Sequence, residues 1–192
     1  MTNPDSQTFN DSYRDRSDRL GALLAVVPAD RWDAPSPCVG WTARDVLDHV
    51  VTTQRQFMGQ HGLDLGAAPD LVTDPASAWQ QHAATVHAAL CGGLSEREYD
   101  GFFGPTTIGA SIDAFYGFDL VVHRWDIARA AGLDTTWSDG EMDFAEAAAD
   151  GFGEMLHAES VCGPAVPVPA DARRQDRLLG RLGRDPHWAA TA

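Results

Sequence analysis

Lysine is absent from this chain: its 14 basic side chains are all arginines, set against 28 acids. The resulting formal charge of −14 argues against functions that need clustered cations, namely binding to nucleic acid or to anionic membrane surfaces. Cysteine is scarce, with only the widely separated Cys38, Cys91 and Cys162. Such an odd, scattered set forms neither a disulfide framework nor a CxxC metal or redox site, and reads as reduced thiols. Long apolar runs are missing as well, since none approaches the ~18 residues of a membrane span. The polar segment Met1–Asn10 lacks the basic and apolar regions of a secretion signal. The expected location is cytoplasmic.

What is present suits a helical protein. A chain of 192 residues with 44% hydrophobic content is long enough to bury a core as a single domain over 1–192. Helical patterns cover about Phe9–Val27, Thr42–Gln60, Pro75–Leu90, Thr107–Ala131 and Asp139–Glu159. A short basic amphipathic helix, about Ala172–Leu182, follows the proline-rich stretch Gly163–Pro169. Thr42 and Asp45 form a capping-box variant, with Trp41 and Val46 at the staple positions. Pro75 opens the third helix and Gly92-Gly93 follows it. Strand signals are weak and confined to the surroundings of Phe102 and Val166. The pattern predicts an all-α, up-and-down bundle.

Chemistry concentrates in the fourth helical pattern. At about 100° per residue, Asp119, His123 and Asp126 fall within the stripe that holds Ile108, Ile112, Phe115 and Val122. Ionisable groups on an inward face are costly unless paired or bound to a metal. Asp119 and His123 stand four residues apart, which stacks their side chains on one helix face as two ligands of one ion require. His49, at the edge of the stripe formed by Val46, Val50 and Phe57, is the third candidate ligand, and Asp45 one turn earlier is expected to hold its other ring nitrogen. The competing reading is a helix-stabilising Asp–His pair beside a structural histidine. His61, His82, His87, His157 and His187 read as solvated or structural.

The residues also carry a family resemblance. Pro35-Ser36-Pro37-Cys38-Val39-Gly40-Trp41-Thr42-Ala43-Arg44-Asp45-Val46-Leu47-Asp48-His49 resembles the opening motif of the mycothiol-dependent maleylpyruvate isomerase N-terminal family, within the DinB-like superfamily. Asp119 to Gly132, D-x-x-x-H-x-W-D-x-A-x-x-x-G, resembles its second signature. Asp176 to Pro186, DRLLGRLGRDP, resembles the ending of an uncharacterised metal-binding branch. The resemblance implies a DinB-like four-helix bundle, up-down-down-up, here with an extra short C-terminal helix. It implies a divalent metal on His49, Asp119 and His123, with zinc first and nickel or iron as alternatives. It further implies mycothiol or a similar small thiol as cosubstrate, and a transferase or isomerase reaction on a small electrophile.

Two departures bear on that expectation. Asp119 stands where the isomerase has the longer Glu. The isomerase's added C-terminal domain has no expected counterpart in this chain, so the class of chemistry is implied rather than that one reaction. Asp126 and Tyr116 are the candidate catalytic acid or base, with Asp126 alternatively a hydrogen-bond partner of a ligand or an ion-pair partner of an arginine. The alternative function is a non-catalytic metal-binding or stress-associated bundle, with a homodimer as one arrangement.

Overall fold

The computed structural model describes residues 4–158 and 161–190. Helices α1 (Pro4–Leu24), α2 (Ala43–Gln60) and α3 (Pro75–Cys91) come first, followed by a hairpin of β1 (Glu98–Gly101) and β2 (Gly104–Thr107). A composite helix follows: α4 (Ile108–Ser111), a π-helical turn (Ile112–Tyr116) and α5 (Gly117–Ala130). Then come α6 (Asp139–Phe152) and α7 (Arg174–Arg181).

The helix starts follow from capping chemistry. Thr42 and Asp45 satisfy each other's backbone N–H at the head of α2, and Ser138 and Glu141 do the same for α6. Asp74 caps α3 ahead of Pro75, which needs no amide partner at that position. Gly153, at φ +53°, ends α6, and a 3₁₀ turn over Gly153–His157 continues the segment. The helix expected to run on to Glu159 therefore stops at Phe152, and Glu159 itself lies outside the described residues. The first helix begins earlier than its pattern indicated and ends at Leu24 rather than Val27.

The strand signal at Phe102 corresponds to the hairpin, which pairs antiparallel with Gly101 opposite Gly104 and leaves Phe102 and Phe103 at its tip. The signal at Val166 yields no strand. Pro164, Pro167 and Pro169 lack the amides a ladder needs, and the Val166 amide instead donates to the Gly180 carbonyl.

Helix α1 packs on α3 and α5, and α2 packs on α5 and α3. This is a four-helix bundle around Leu20, Leu24, Leu47, Val50, Met58, Trp79, Ile108 and Leu120. Gln54 crosses that core fully buried, and its Oε1 accepts from the Tyr13 hydroxyl at 2.8 Å and faces His82 Nε2 at 3.0 Å. Burial, helped by the charge of Arg55, pushes the His82 imidazole down to about 4.

A second apolar layer joins the other side of α5 to α6 and α7 through Phe118, Val122, Trp125, Trp137, Met142 and Leu179. Helix α5 is thus buried nearly all round, as helices enclosed by a core are. The single inward stripe expected from a constant 100° rotation divides in consequence. Ile108 and Ile112 enter the first core, while Val122 enters the second. The π-helical turn also breaks the count by one residue, a feature frequent beside functional sites. Arg16 of α1 braces that turn through an ion pair with Asp113 while its guanidinium lies 3.5 Å from the Phe144 ring centre.

Candidate metal centre

Helix α2 brings His49, and α5 brings Asp119 and His123, into the wall of a cavity of about 870 Å³. One donor atom from each of the three lies within 4.8 Å of the others. His49 Nε2 is 3.9 Å from Asp119 Oδ2. The His49 and His123 rings meet edge to face with centres 5.1 Å apart. A tetrahedral zinc with bonds of about 2.1 Å needs its ligand atoms about 3.4 Å apart. The His49–Asp119 pair lies about half an ångström beyond that spacing, and the three donors together are close enough to converge on one ion.

The electrostatics also favour a cation. Burial raises the Asp119 carboxyl above the usual range, against the lowering influence of His123 and Arg184. No hydrogen-bond donor satisfies this carboxylate among the described residues. Burial, together with His123 and Arg184, pushes His49 down to about 4, so its ring is neutral near pH 7, the form in which histidine binds metals.

His123 is oriented from behind. Its Nδ1 donates to Asp126 Oδ2 at 2.9 Å, which leaves Nε2 to face His49 and Asp119. A carboxylate on the far nitrogen of a ligating histidine is the usual device for fixing the tautomer. Asp126 is itself fully buried. Arg184 donates to it from Nη2 at 3.0 Å and from Nε at 3.4 Å, and the Cys38 thiol donates at 3.3 Å. Burial works to raise the Asp126 carboxyl, but Arg184 and the His123 hydrogen bond override it and hold the group far below the carboxylate range.

These contacts bear on two expectations. Asp126 shares the helix with the ligands, but its carboxylate is engaged by three neighbours and does not line the cavity. These are the contacts of the alternative reading, a hydrogen-bond partner of His123 and an ion-pair partner of Arg184. Asp45 does not hold His49. Its Oδ2 accepts from the Thr42 amide at 2.8 Å and the Thr42 hydroxyl at 2.7 Å, because the open amides at a helix start compete for the nearest carboxylate. Trp41, expected as a staple, has its ring centre 5.0 Å from that of His49 and lines the cavity.

Tyr116 does line the cavity, at the end of the π-helical turn. Burial and the neighbouring Asp119 carboxylate keep its phenol protonated. That suits a hydrogen-bond or proton donor rather than a base.

Two residues escaped sequence reasoning. Cys38 read as an ordinary thiol, and burial pushes it up, with Asp126 adding to the rise, so it is no ready nucleophile. Arg184 arrives from the segment after α7, where Gly183 adopts φ +76° with the Gly163 carbonyl 2.6 Å from where its Cβ would stand. Both lie in the motifs that carried the resemblance, which was the available signal. Cys38, His123 and Asp126 form a second convergence of potential ligands. An ion there would face the Arg184 guanidinium, which already neutralises Asp126. Of the remaining histidines, His82 is buried in the bundle, and His157 is exposed at the cavity edge with Nδ1 donating to the Gly163 carbonyl at 2.7 Å.

Comparison with known proteins agrees with this architecture. The model of the mycothiol maleylpyruvate isomerase N-terminal domain family matches residues 13–128, which contain His49, Asp119, His123 and Asp126 but not Arg184. An uncharacterised protein of Mycobacterium tuberculosis (strain CDC 1551 / Oshkosh) is 30% identical over 186 residues, covering 90% of this chain and 96% of the relative. A second uncharacterised protein from the same strain is 27% identical over 155 residues, covering 67% of this chain and 58% of the relative. No solved structure matches the chain. No helix among the described residues is long and apolar enough to cross a membrane. On the matched residues and the helical fold that carries them, the chain belongs to the mycothiol maleylpyruvate isomerase N-terminal domain family, a DinB-like helical family.

Proposed function

We propose that this protein is a divalent-metal-dependent enzyme, with zinc as the first candidate ion, that transfers a small thiol of the mycothiol type to an electrophile or uses it in an isomerisation. The observation that carries the reading is the convergence of His49, Asp119 and His123 in the wall of an open cavity, with His123 held from behind by Asp126. A three-ligand set leaves a further position for a thiol or substrate, as catalytic rather than closed structural sites do. When bound, a divalent ion supplies Lewis acidity that favours the thiolate form of a coordinated thiol near neutral pH.

The chain's own residues do the rest. Asp126 keeps the His123 lone pair aimed into the cavity, and Arg184 keeps Asp126 ionised so that it continues to accept that hydrogen bond. Asp119 supplies the one anionic ligand. Tyr116, held protonated, offers a proton or hydrogen bond to a developing negative charge on the electrophile.

The cavity favours an enzyme over a non-catalytic metal-binding bundle, because a structural ion needs no open approach of this size. The test has two parts. Elemental analysis of the purified chain should find about one divalent ion per chain, as one three-ligand site holds. A conjugation screen with mycothiol should then show turnover that a chelator abolishes and zinc restores. A metal-replete protein inert across that screen favours the non-catalytic alternative.

A further inference from the structure

We infer that the electrophile taken by this cavity is an uncharged aromatic or bulky apolar compound and not a carboxylate. The inference rests on the proposed function for its setting, and it draws on residues that take no part in holding the metal.

The wall is aromatic and continuous. Phe118 and Phe152 lie with ring centres 5.7 Å apart, Phe152 and Phe115 at 5.8 Å, and all of them line the cavity with Trp41. The row runs on beyond the mouth. Phe103, at the hairpin tip, stacks on Phe115 at 6.1 Å with a 21° angle between planes, and remains 59% exposed. Trp41 and Val161, which also line the cavity, are each 37% exposed. Large apolar side chains left in water beside a site are the surface a ligand of like character would cover.

The charges point the same way. A substrate carboxylate calls for a free guanidinium or ammonium, commonly in a forked contact. Arg184 is the only arginine of the wall. Its Nη2 and Nε are taken by Asp126 and its Nη1 by the Leu182 carbonyl at 2.8 Å, and it is 8% exposed. A net charge of −14 also opposes the approach of anions from solution. Away from the metal position, a dicarboxylate therefore finds no free guanidinium or ammonium in this wall, whereas a neutral ring finds the aromatic side chains that line the cavity with His49, Asp119 and His123.

The test is competition against a neutral fluorescent probe, N-phenyl-1-naphthylamine, on the full chain as purified. The probe should bind saturably. Naphthalene-1-carboxamide should displace it at a concentration at least about tenfold lower than naphthalene-1-carboxylate, a factor that matches one well-placed interaction. Phe115→Ala and Phe152→Ala should each weaken the probe about tenfold with the helical circular dichroism unchanged. The carboxylate competing as well as the carboxamide, or no saturable probe binding to the unaltered chain, overturns the inference whether or not the variants fold. Zinc content measured on the same samples separates the two readings. A chain that prefers the carboxamide but binds no zinc keeps this inference and defeats the metal-dependent function. A zinc-loaded chain that prefers the carboxylate does the reverse.

Discussion

Asp126 accepts a hydrogen bond from Nδ1 of His123 at 2.9 Å while fully buried in the wall behind the candidate ligands. That contact ties the orientation of a ligand to an ion pair with Arg184. Asp126→Asn keeps the shape but removes the charge, so metal affinity should fall about 10- to 100-fold, the usual cost of losing such a partner. Competition with a zinc-sensitive dye measures it. Unchanged affinity would remove Asp126 from the site.

His123→Ala should abolish metal binding and leave the protein folded. Two apolar layers hold the helices without an ion, unlike a zinc finger. The remaining Asp119, already raised by burial, should take up a proton more readily. Metal analysis and a circular dichroism melt of the variant check both halves. An unfolded variant would give the ion a structural role.

Arg184→Ala should destabilise the fold by about 3–5 kcal/mol, because it strands a buried carboxylate. The double variant Asp126→Asn/Arg184→Met should recover much of that loss, since replacing both members of a buried pair is often nearly neutral. Urea unfolding of the single and double variants measures the coupling. Equal stability of Arg184→Ala and the unaltered chain would mean that the pair does not hold α7 in place.

Asp45→Ala should lower stability by about 1 kcal/mol, the typical value of a helix cap, without changing metal affinity. The helical arrangement and the meeting of Asp119 and His123 with His49 were legible in the sequence because caps, prolines and the spacing of Asp119 from His123 are local signals. The role of Asp45 was not, because one-turn spacing from His49 serves a ligand contact and a cap equally well, and only the side-chain direction separates them. The split faces of α5 were hidden for a related reason. A π-helical turn has no local signature here, and its brace, Arg16 against Asp113, lies 97 residues apart in the chain. Arg184 was hidden by distance as well.

Stability should fall on acidification between pH 6.5 and about 4 through His82. Its unfolded value is the higher one, so in that window the unfolded chain binds the extra proton and is favoured as pH drops. The full shift corresponds to about 3 kcal/mol. His82→Gln should flatten this part of the profile, as read from denaturant midpoints at several pH values. An unchanged slope would assign the acid sensitivity to other groups.

Arg184 follows Asp126 by 58 residues, and this separation has a consequence for biosynthesis. The ligand-bearing helix leaves the ribosome well before the arginine that neutralises its buried acid. During that interval Asp126 lacks its counter-charge, so burying it between α5 and its final neighbours is disfavoured. The site therefore matures late, when the α7 segment docks and Arg184 enters. A chain cut short after the matched family region would carry every candidate ligand and still lack the counter-charge that holds Asp126 in its ionised form.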